Sequence, residues 1–189
     1  MSSTEVLRML VAALDRFGIS YMLTGSFASA YHGASRSTQD IDLVIEAAPE
    51  PLQAFVGYLQ ANQYYADVDT ALEALEKRSL FNVIEQSSGW KIDLIIRKAR
   101  PFGEAEFRRR RLVDFNGIPL FLASAEDVVI AKMEWSKMSG SARQLADVAA
   151  ILRLQWGTLD LDYIQLWTRS LDLQSQLNEV CKLANIKIQ

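Results

Sequence analysis

Two aspartates, Asp40 and Asp42, stand one residue apart at the head of the apolar run "DIDLVI". Residues two apart in a β-strand point to the same face, so these carboxylates are predicted to lie side by side while Ile41 and Leu43 face the core. Adjacent carboxylates repel, and one resists ionisation unless a cation lies between them. The spacing therefore predicts a site for a hard divalent cation, Mg²⁺ or Mn²⁺, which prefers oxygen ligands.

A third acid, Asp93, interrupts the apolar stretch "KIDLIIR". A carboxylate among such neighbours is costly unless it has a cationic partner. If the strand of Asp93 lies next to that of Asp40 and Asp42, the three acids could hold one or two metal ions that clamp a triphosphate. The competing interpretation is that all three are solvated acids on exposed parts of strands.

Gly25 and Ser26 end the apolar run that precedes the acids. Glycine permits a sharp turn and close approach of a ligand to the backbone. Ser26 can cap the short helix predicted to follow, and a helix N-terminus with a hydroxyl and free amides favours anions. We therefore expect a phosphate-binding turn here, and Arg36, just before the acids, is placed for a further phosphate contact.

The elements that position these residues follow from the hydrophobic periodicity. Before the acids, the pattern predicts an amphipathic helix that ends at Gly18, a buried strand "ISYMLT", and a short helix "FASAYH" closed by Gly33. The acids begin a second strand, "DIDLVIEA", and a helix through Leu59 follows it. The segment "DVDTALEALEKR" is too polar to assign.

The second half of the chain predicts two hairpins and then helices. "SLFNVIEQ" and "WKIDLIIRK" flank the turn "SSG", and an Asn-Gly pair divides "VDFNGIPLFLA". A basic helix, "FGEAEFRRRRL", lies between these hairpins. From Ser124 onward the periodicity predicts helices "SAEDVVIAKMEWSKM" and "ARQLADVAAILRLQ" and two weaker ones. The fold class is α/β (α+β): a mixed β-sheet flanked by helices, with a helical C-terminal segment.

Composition limits the classes of partner and compartment. The chain has 189 residues, a formal net charge of −3, a pI near 5.3 and one cysteine. The acidity argues against a protein that coats nucleic acid through charge alone. One cysteine excludes an internal disulfide and fits a reducing cytoplasm. The first residues carry charges at helical spacing and do not resemble a signal peptide, so we expect a cytoplasmic protein with no membrane partner.

The ordered set Gly25-Ser26, Asp40-x-Asp42 and Asp93 resembles the nucleotidyltransferase superfamily with the DNA polymerase β-like fold. The segment "RSTQDIDLVI", with Arg36 and Thr38, resembles a bacterial abortive-infection branch that includes toxins of toxin–antitoxin pairs. The resemblance covers roughly residues 15 to 155. It implies that residues 1–123 form a nucleotidyltransferase-like α/β core and that residues 124–189 form a helical segment packed on this core.

The resemblance implies a Mg²⁺-dependent enzyme that transfers an NMP from ATP, GTP or another NTP to a hydroxyl of RNA, protein or a small molecule. Asp40, Asp42 and Asp93 would be catalytic and metal-binding, and Asp93 would also help to deprotonate the acceptor. The residues implied to bind the nucleotide are Gly25, Ser26, Arg36, Thr38, Lys132, Arg143 and Asp147. An antitoxin would be the protein partner of a toxin of this branch.

One departure concerns the late helix, where relatives often carry Arg-Asp-x-x-Asp and this chain has Gln144 in place of the first acid. This change leaves a non-catalytic interaction module, an antitoxin or a scaffold, as the alternative function. Simpler interpretations also exist for single residues: Lys132 as a surface lysine with a buried stem, and Arg143 with Asp147 as an intrahelical ion pair.

A basic stretch follows Phe107 in this otherwise acidic chain. It is either a solvated helix face or a contact for an RNA backbone. Its four arginines are Arg108, Arg109, Arg110 and Arg111.

Overall fold

A seven-stranded mixed sheet, in the order β3-β4-β5-β2-β1-β7-β6, organises the computed structural model, which describes residues 1–34 and 36–186. The strands are β1 (Ser20–Leu23), β2 (Asp40–Glu46), β3 (Tyr64–Tyr65), β4 (Leu80–Glu85), β5 (Lys91–Ile96), β6 (Arg111–Asp114) and β7 (Pro119–Leu122). The helices are α1 (Ser3–Arg16), α2 (Gly25–Tyr31), α3 (Pro49–Ala61), α4 (Val68–Lys77), α5 (Pro101–Arg109), α6 (Ala125–Ser139), α7 (Ala142–Gln155), α8 (Leu161–Ser170) and α9 (Gln174–Ala184).

The chain divides into two compact units. Unit 1 comprises Met1–Phe27 and Ser37–Leu122, and unit 2 comprises Ala28–Arg36 and Ala123–Gln189. Unit 1 holds the whole sheet together with α1, α3, α4 and α5, and unit 2 holds α6 to α9. The α/β class predicted from the sequence is confirmed. Residues 28–36, which lie just before β2 in the sequence, belong to unit 2.

The centre of the sheet pairs two parallel strands that are far apart in sequence. β2 and β5 pair in parallel, β1 pairs antiparallel with β2, and β4 pairs antiparallel with β5. On one face of β2 and β5 every residue is buried, among them Ile41, Leu43, Ile92 and Leu94. Their neighbours along each strand point to the opposite face, which is where the aspartates lie.

Both predicted hairpins are present, with β4 antiparallel to β5 and β6 antiparallel to β7. Four features differ from the sequence-based expectation. The unassigned polar segment forms α4, whose N-cap Asp67 accepts a hydrogen bond from the Thr70 amide. The two-residue strand β3 was not predicted. The basic helix α5 ends at Arg109, so Arg111 belongs to β6. α2 begins at Gly25, so Ser26 is its second residue and not its N-cap.

The turn that joins β4 to β5 is held by the buried carboxylate of Glu85. Its oxygens accept hydrogen bonds from the backbone amides of Ser87 and Ser88, at 2.9 and 2.8 Å, and from the Ser88 hydroxyl. Burial opposes ionisation of Glu85, but these hydrogen bonds outweigh it and lower its pKa to about 2. The turn therefore fixes how β5 is offset from β4.

Replacing Glu85 with Gln should lower the free energy of unfolding by about 1–3 kcal/mol at pH 7, because an amide cannot accept from all three donors. The deficit relative to wild type should stay constant above about pH 5. It should shrink as the pH falls from there towards 2, because the unfolded carboxyl, with a pKa near 4.5, is protonated before the folded one. Urea unfolding across this pH range is the measurement.

Glu76, an exposed residue of α4, supplies the control. Glu76→Gln should change the free energy of unfolding by less than about 0.5 kcal/mol. A Glu85→Gln variant as stable as Glu76→Gln at pH 7 would contradict the role given to the turn.

Candidate active site

The parallel pairing of β2 with β5 brings the three predicted acids to one face of unit 1. In this register Asp42 lies opposite Asp93, and Asp40 lies opposite Lys91. Neighbouring strands are about 4.8 Å apart, so directly opposed side chains on one face are in reach of each other. Asp93 therefore stands beside the Asp40–Asp42 pair, at the amino-terminal ends of both strands, and not on the opposite face of the sheet.

Asp93 is held by two further side chains on the same face. Its Oδ1 accepts a hydrogen bond of 2.6 Å from the Asn82 side-chain amide, on β4. The Lys91 ammonium lies 2.9 Å from Oδ1 and 3.0 Å from Oδ2. The hydrogen bond to Asp93 raises the pKa of Lys91, and the charges of Asp93, Asp40 and Asp42 reinforce this effect against the opposing influence of burial.

Asn82 and Lys91 were not predicted as site residues. Both follow from the β4–β5 hairpin, because pairing about its turn sets Asn82 opposite Asp93. The alternation of the two strands places Lys91 and Asp93 on one face. Counting outward from the turn "SSG" would have identified both residues.

The donor chemistry of this face suits a hard divalent cation, because Asp40, Asp42 and Asp93 all offer carboxylate oxygens. Across residues 1–34 and 36–186, however, no three His, Cys, Asp or Glu side chains already surround a single point as ligands would. The Asp93 carboxylate is engaged by Lys91 instead. A metal ion at this face would thus compete with an ammonium group for Asp93.

Gly25 packs directly against Asp42. A Cβ atom built on Gly25 would lie 1.9 Å from Asp42 Oδ2, far inside contact distance, and the φ of Gly25 is +62°. The backbone amide of Thr24, the preceding residue, donates a 2.9 Å hydrogen bond to the Asp42 carbonyl. Only glycine lets the start of α2 approach the carboxylate this closely. Ser26, next in the chain, is buried.

Thr38 and Arg36 precede the acids, and they differ in what they contact. The Thr38 hydroxyl accepts a 3.2 Å hydrogen bond from the Asp40 amide, which fixes the start of β2. Arg36 belongs to unit 2, where its Nε lies 3.1 Å from Asp147 Oδ2. Arg36 thus has a carboxylate partner in the structure.

A buried cluster in unit 2 contains most of the predicted helical residues. The Lys132 ammonium donates to Asp147 Oδ2 at 2.8 Å and to the Gln144 side-chain oxygen at 2.9 Å. The Lys132 side chain is only 6% exposed, so its interpretation as a surface lysine is wrong. Gln144, the residue that departs from the pattern expected from the sequence resemblance, is a partner of Lys132.

The interpretation of Arg143 and Asp147 as an intrahelical ion pair is also wrong. Asp147 pairs with Arg36 and Lys132. Arg143 is exposed and, within the described part of the chain, forms no ion pair with Asp147. Arg36, Lys132 and Asp147 therefore lie together in the cluster, and Arg143 lies outside it.

The four basic residues after Phe107 do not form one continuous face. Arg110, at the C-cap of α5, has its guanidinium carbon 4.1 Å from the Phe107 ring centroid and 5.0 Å from that of Phe121. This stacking gives Arg110 a structural role. Arg108 and Arg111 are exposed, and Arg109 is partly buried.

Solved structures similar to the whole chain share this architecture. The solution structure of the antibiotic-resistance factor ANT(2'')-Ia matches with a TM-score of 0.59 at 13% identity, over 95% of this chain and 97% of that one. A crystal structure of ANT(2'')-Ia in complex with adenylyl-2''-tobramycin gives a TM-score of 0.56 at 14% identity, over 91% and 97%.

A third match is the crystal structure of an antigenic nucleotidyltransferase-like protein from Paracoccidioides brasiliensis. Its TM-score is 0.56 at 18% identity, over 100% of this chain and 96% of that one. The chain has a nucleotidyltransferase-like fold. The sequence resemblance to nucleotidyltransferases is confirmed at the level of that fold.

A scan against protein-family models and a search of curated proteins gave no match. No helix in residues 1–34 and 36–186 of this nucleotidyltransferase-like fold is long and apolar enough to cross a bilayer.

Gly25→Ala should destabilise the chain beyond the backbone cost of a positive φ, because the new methyl would overlap the Asp42 carboxylate. Gly18 is the matched control: its φ is +64°, and nothing lies within 4 Å of a Cβ built there. We expect a loss of about 1 kcal/mol for Gly18→Ala and at least 1 kcal/mol more for Gly25→Ala. Equal losses in denaturant unfolding would show that the methyl group is accommodated.

In unit 2, Asp147→Asn should cost about 3–5 kcal/mol, because it takes a charged partner away from the buried Lys132 ammonium. Lys132→Met should cost less, since Arg36 still pairs with Asp147. Arg143→Ala, at an exposed position, should change stability by less than about 0.5 kcal/mol. Urea unfolding of the three variants tests this order, and a costlier loss at Arg143 than at Lys132 would contradict it.

Proposed function

We propose that the chain is a divalent-cation-dependent nucleotidyltransferase. The observation that carries this proposal is the β2–β5 register, which sets Asp42 opposite Asp93, together with the side-chain-free contact of Gly25 with Asp42. The two acids on β2 and the glycine turn that contacts Asp42 bring carboxylates and a backbone without a side chain into one place. The fold of the solved neighbours supports the same class of reaction.

In this proposal, Asp40, Asp42 and Asp93 would hold Mg²⁺ or Mn²⁺. The cation would supply charge neutralisation for the phosphates of a bound NTP. Gly25 lets the turn lie against Asp42 with no side chain between them, so the phosphates would lie next to this turn, and Ser26 would donate from its amide and hydroxyl. Because α2 has only seven residues, we assign the anion binding to these local donors and not to a large helix dipole.

The transfer step forms one bond and breaks one. An acceptor hydroxyl oxygen attacks the α-phosphorus of the NTP, and the bond to the β-phosphate oxygen breaks, so that pyrophosphate leaves with the electron pair. Asp93 would take the proton of the hydroxyl. The hydrogen bond from Asn82 to Oδ1 orients this carboxylate, which leaves Oδ2 as the atom to receive the proton once Lys91 has moved away.

The buried cluster of unit 2 is proposed to contribute to nucleotide binding through its charge. Lys132 and Arg36 both contact Asp147, which brings two cationic side chains together in this cluster. Cationic side chains attract phosphate groups. Arg143 and Thr38 complete the nucleotide contacts implied by the sequence resemblance, Arg143 through its exposed guanidinium and Thr38 by holding the start of β2.

The alternative is a non-catalytic interaction module. The specific observation in its favour is that Lys91 and Asn82 already bind the Asp93 carboxylate, so Asp93 needs no metal ion in the folded state. A protein that used this fold only as a scaffold would keep such internal neutralisation. Metal and nucleotide binding distinguish the two functions.

The acceptor is proposed to be a hydroxyl of RNA, protein or a small molecule. ANT(2'')-Ia, which shares the fold, has been solved with adenylyl-2''-tobramycin, so a small-molecule hydroxyl belongs among the candidates. For RNA, the exposed Arg108 and Arg111 would contact the backbone. We further propose that the activity modifies a cellular target and that an antitoxin partner restrains it.

Incubating the protein with each α-labelled NTP and Mg²⁺, in the presence of total RNA, cell lysate or aminoglycosides, tests the proposal. Wild type should give a labelled product with at least one acceptor. Asp42→Asn and Asp93→Asn should lower the rate at least about a hundredfold, because each removes charge that the reaction needs. Asp15→Asn, an exposed acid of α1, is the control and should keep the wild-type rate.

Expression of the same variants in growing cells tests the toxic role. Wild type should slow growth and the two site variants should not. Equal slowing by wild type and Asp42→Asn would support the interaction module. If labelled RNA is the product, Arg108→Ala with Arg111→Ala should weaken RNA use most at low salt, because the variant has fewer phosphate contacts and a shallower salt dependence, and it should leave NTP binding intact.

A further inference from the structure

Lys91 carries a positive charge on the acid-bearing face of the sheet, the face that holds Asp40, Asp42 and Asp93. Its ammonium contacts both oxygens of Asp93, at 2.9 and 3.0 Å. The β2–β5 register places its backbone opposite Asp40. One lysine is thus shared between the two strands that carry all three acids.

The Lys91 ammonium relieves the repulsion that three neighbouring carboxylates would otherwise exert on one another. Like charges at this spacing repel one another, and an opposite charge within hydrogen-bond distance offsets that repulsion. The pair is not sealed from water, since 45% of the Lys91 side chain is exposed and 17% of that of Asp93. Lys91 can therefore leave Asp93 and remain solvated.

Lys132 shows the contrasting case in the same chain. Its side chain is 6% exposed and its ammonium contacts Asp147 and Gln144, so releasing it would strand a buried charge. An exposed, flexible lysine carries no such penalty. The two lysines use the same chemistry, but only Lys91 is placed to exchange its carboxylate partner.

We infer that Lys91 is an internal competitor for the divalent cation: it neutralises Asp93 until a metal ion displaces it, and it thereby sets the metal affinity of the acid-bearing face. This inference rests on the proposed function, because it assumes that the acids hold a cation. Binding of the metal ion and pairing of Lys91 with Asp93 are then mutually exclusive. Free enzyme should hold the metal weakly, and the phosphates of an NTP, which add negative charge, should favour loading.

Replacing Lys91 with Met removes the charge and keeps most of the stem, and Lys91→Arg keeps the charge. Without nucleotide, Lys91→Met should bind Mn²⁺ at least about tenfold more tightly than wild type, because one unit charge no longer repels the ion and no longer occupies Asp93. Lys91→Arg should stay within about threefold of wild type. The loss of the free Mn²⁺ signal in electron paramagnetic resonance gives these affinities, and Asp42→Asn combined with Lys91→Met is the control that should bind weakly.

The rise in melting temperature on adding Mg²⁺ distinguishes this role from a purely structural one. Loss of a structural lysine would lower the melting temperature but would not change the size of that rise. In metal-free buffer Lys91→Met should melt below wild type, because Asp93 loses a counter-charge. Added Mg²⁺ should then raise its melting temperature more than it raises that of wild type, through tighter binding to the folded state. A drop that Mg²⁺ does not recover would overturn the inference.

The Mn²⁺ titration separates failure of this inference from failure of the proposed function. Equal, measurable Mn²⁺ binding by wild type and Lys91→Met would contradict the role inferred for Lys91 but not the proposed metal site. Weaker Mn²⁺ binding by Lys91→Met than by wild type would also contradict only the role of Lys91. The absence of Mn²⁺ binding in all three proteins, wild type, Lys91→Met and Lys91→Arg, would contradict both the role of Lys91 and the proposed metal site.

Discussion

The parallel pairing of β2 with β5 is the constraint on which the rest of the site depends. Side chains alternate along a strand, so sliding β5 by one residue would place Ile92 or Leu94 opposite Asp42 and turn Asp93 towards the core. Burial resists such a slip, because Ile92, Leu94 and Ile96 fit only one face. The hydrophobic interior therefore determines which polar atoms meet on the other side of the sheet.

The elements that carry the chemistry were largely predictable from the sequence because their signals are local. Alternating apolar residues identified β2 and β5, the turn residues identified both hairpins, and Ser124 marked the start of α6. α4 was missed because its segment is polar overall, although its apolar residues fall on one helix face, where Ala71 and Ala74 are buried. The two-residue strand β3 is too short to show any period.

Side-chain partners were less predictable, because they depend on contacts between distant segments. Asp147 has a neighbour of opposite charge four residues away, yet it pairs with Arg36 and Lys132, which are 111 and 15 residues away in sequence. The spacing of two charged residues along one helix indicates that they could form an ion pair. It does not show whether a residue from another helix or loop binds the same carboxylate instead. Lys91 is the opposite case, since its pairing with Asp93 follows from strand alternation.

Gly25 shows that the absence of a side chain is a structural requirement at one point of this face. At almost every other position, replacement by alanine removes atoms, and the loss measures what the side chain contributed. At Gly25 the same replacement adds volume, at a point 1.9 Å from a carboxylate oxygen. A systematic alanine scan of this face would thus report a lost contact at Asp42 and an added obstruction at Gly25, two opposite physical events with the same outward sign.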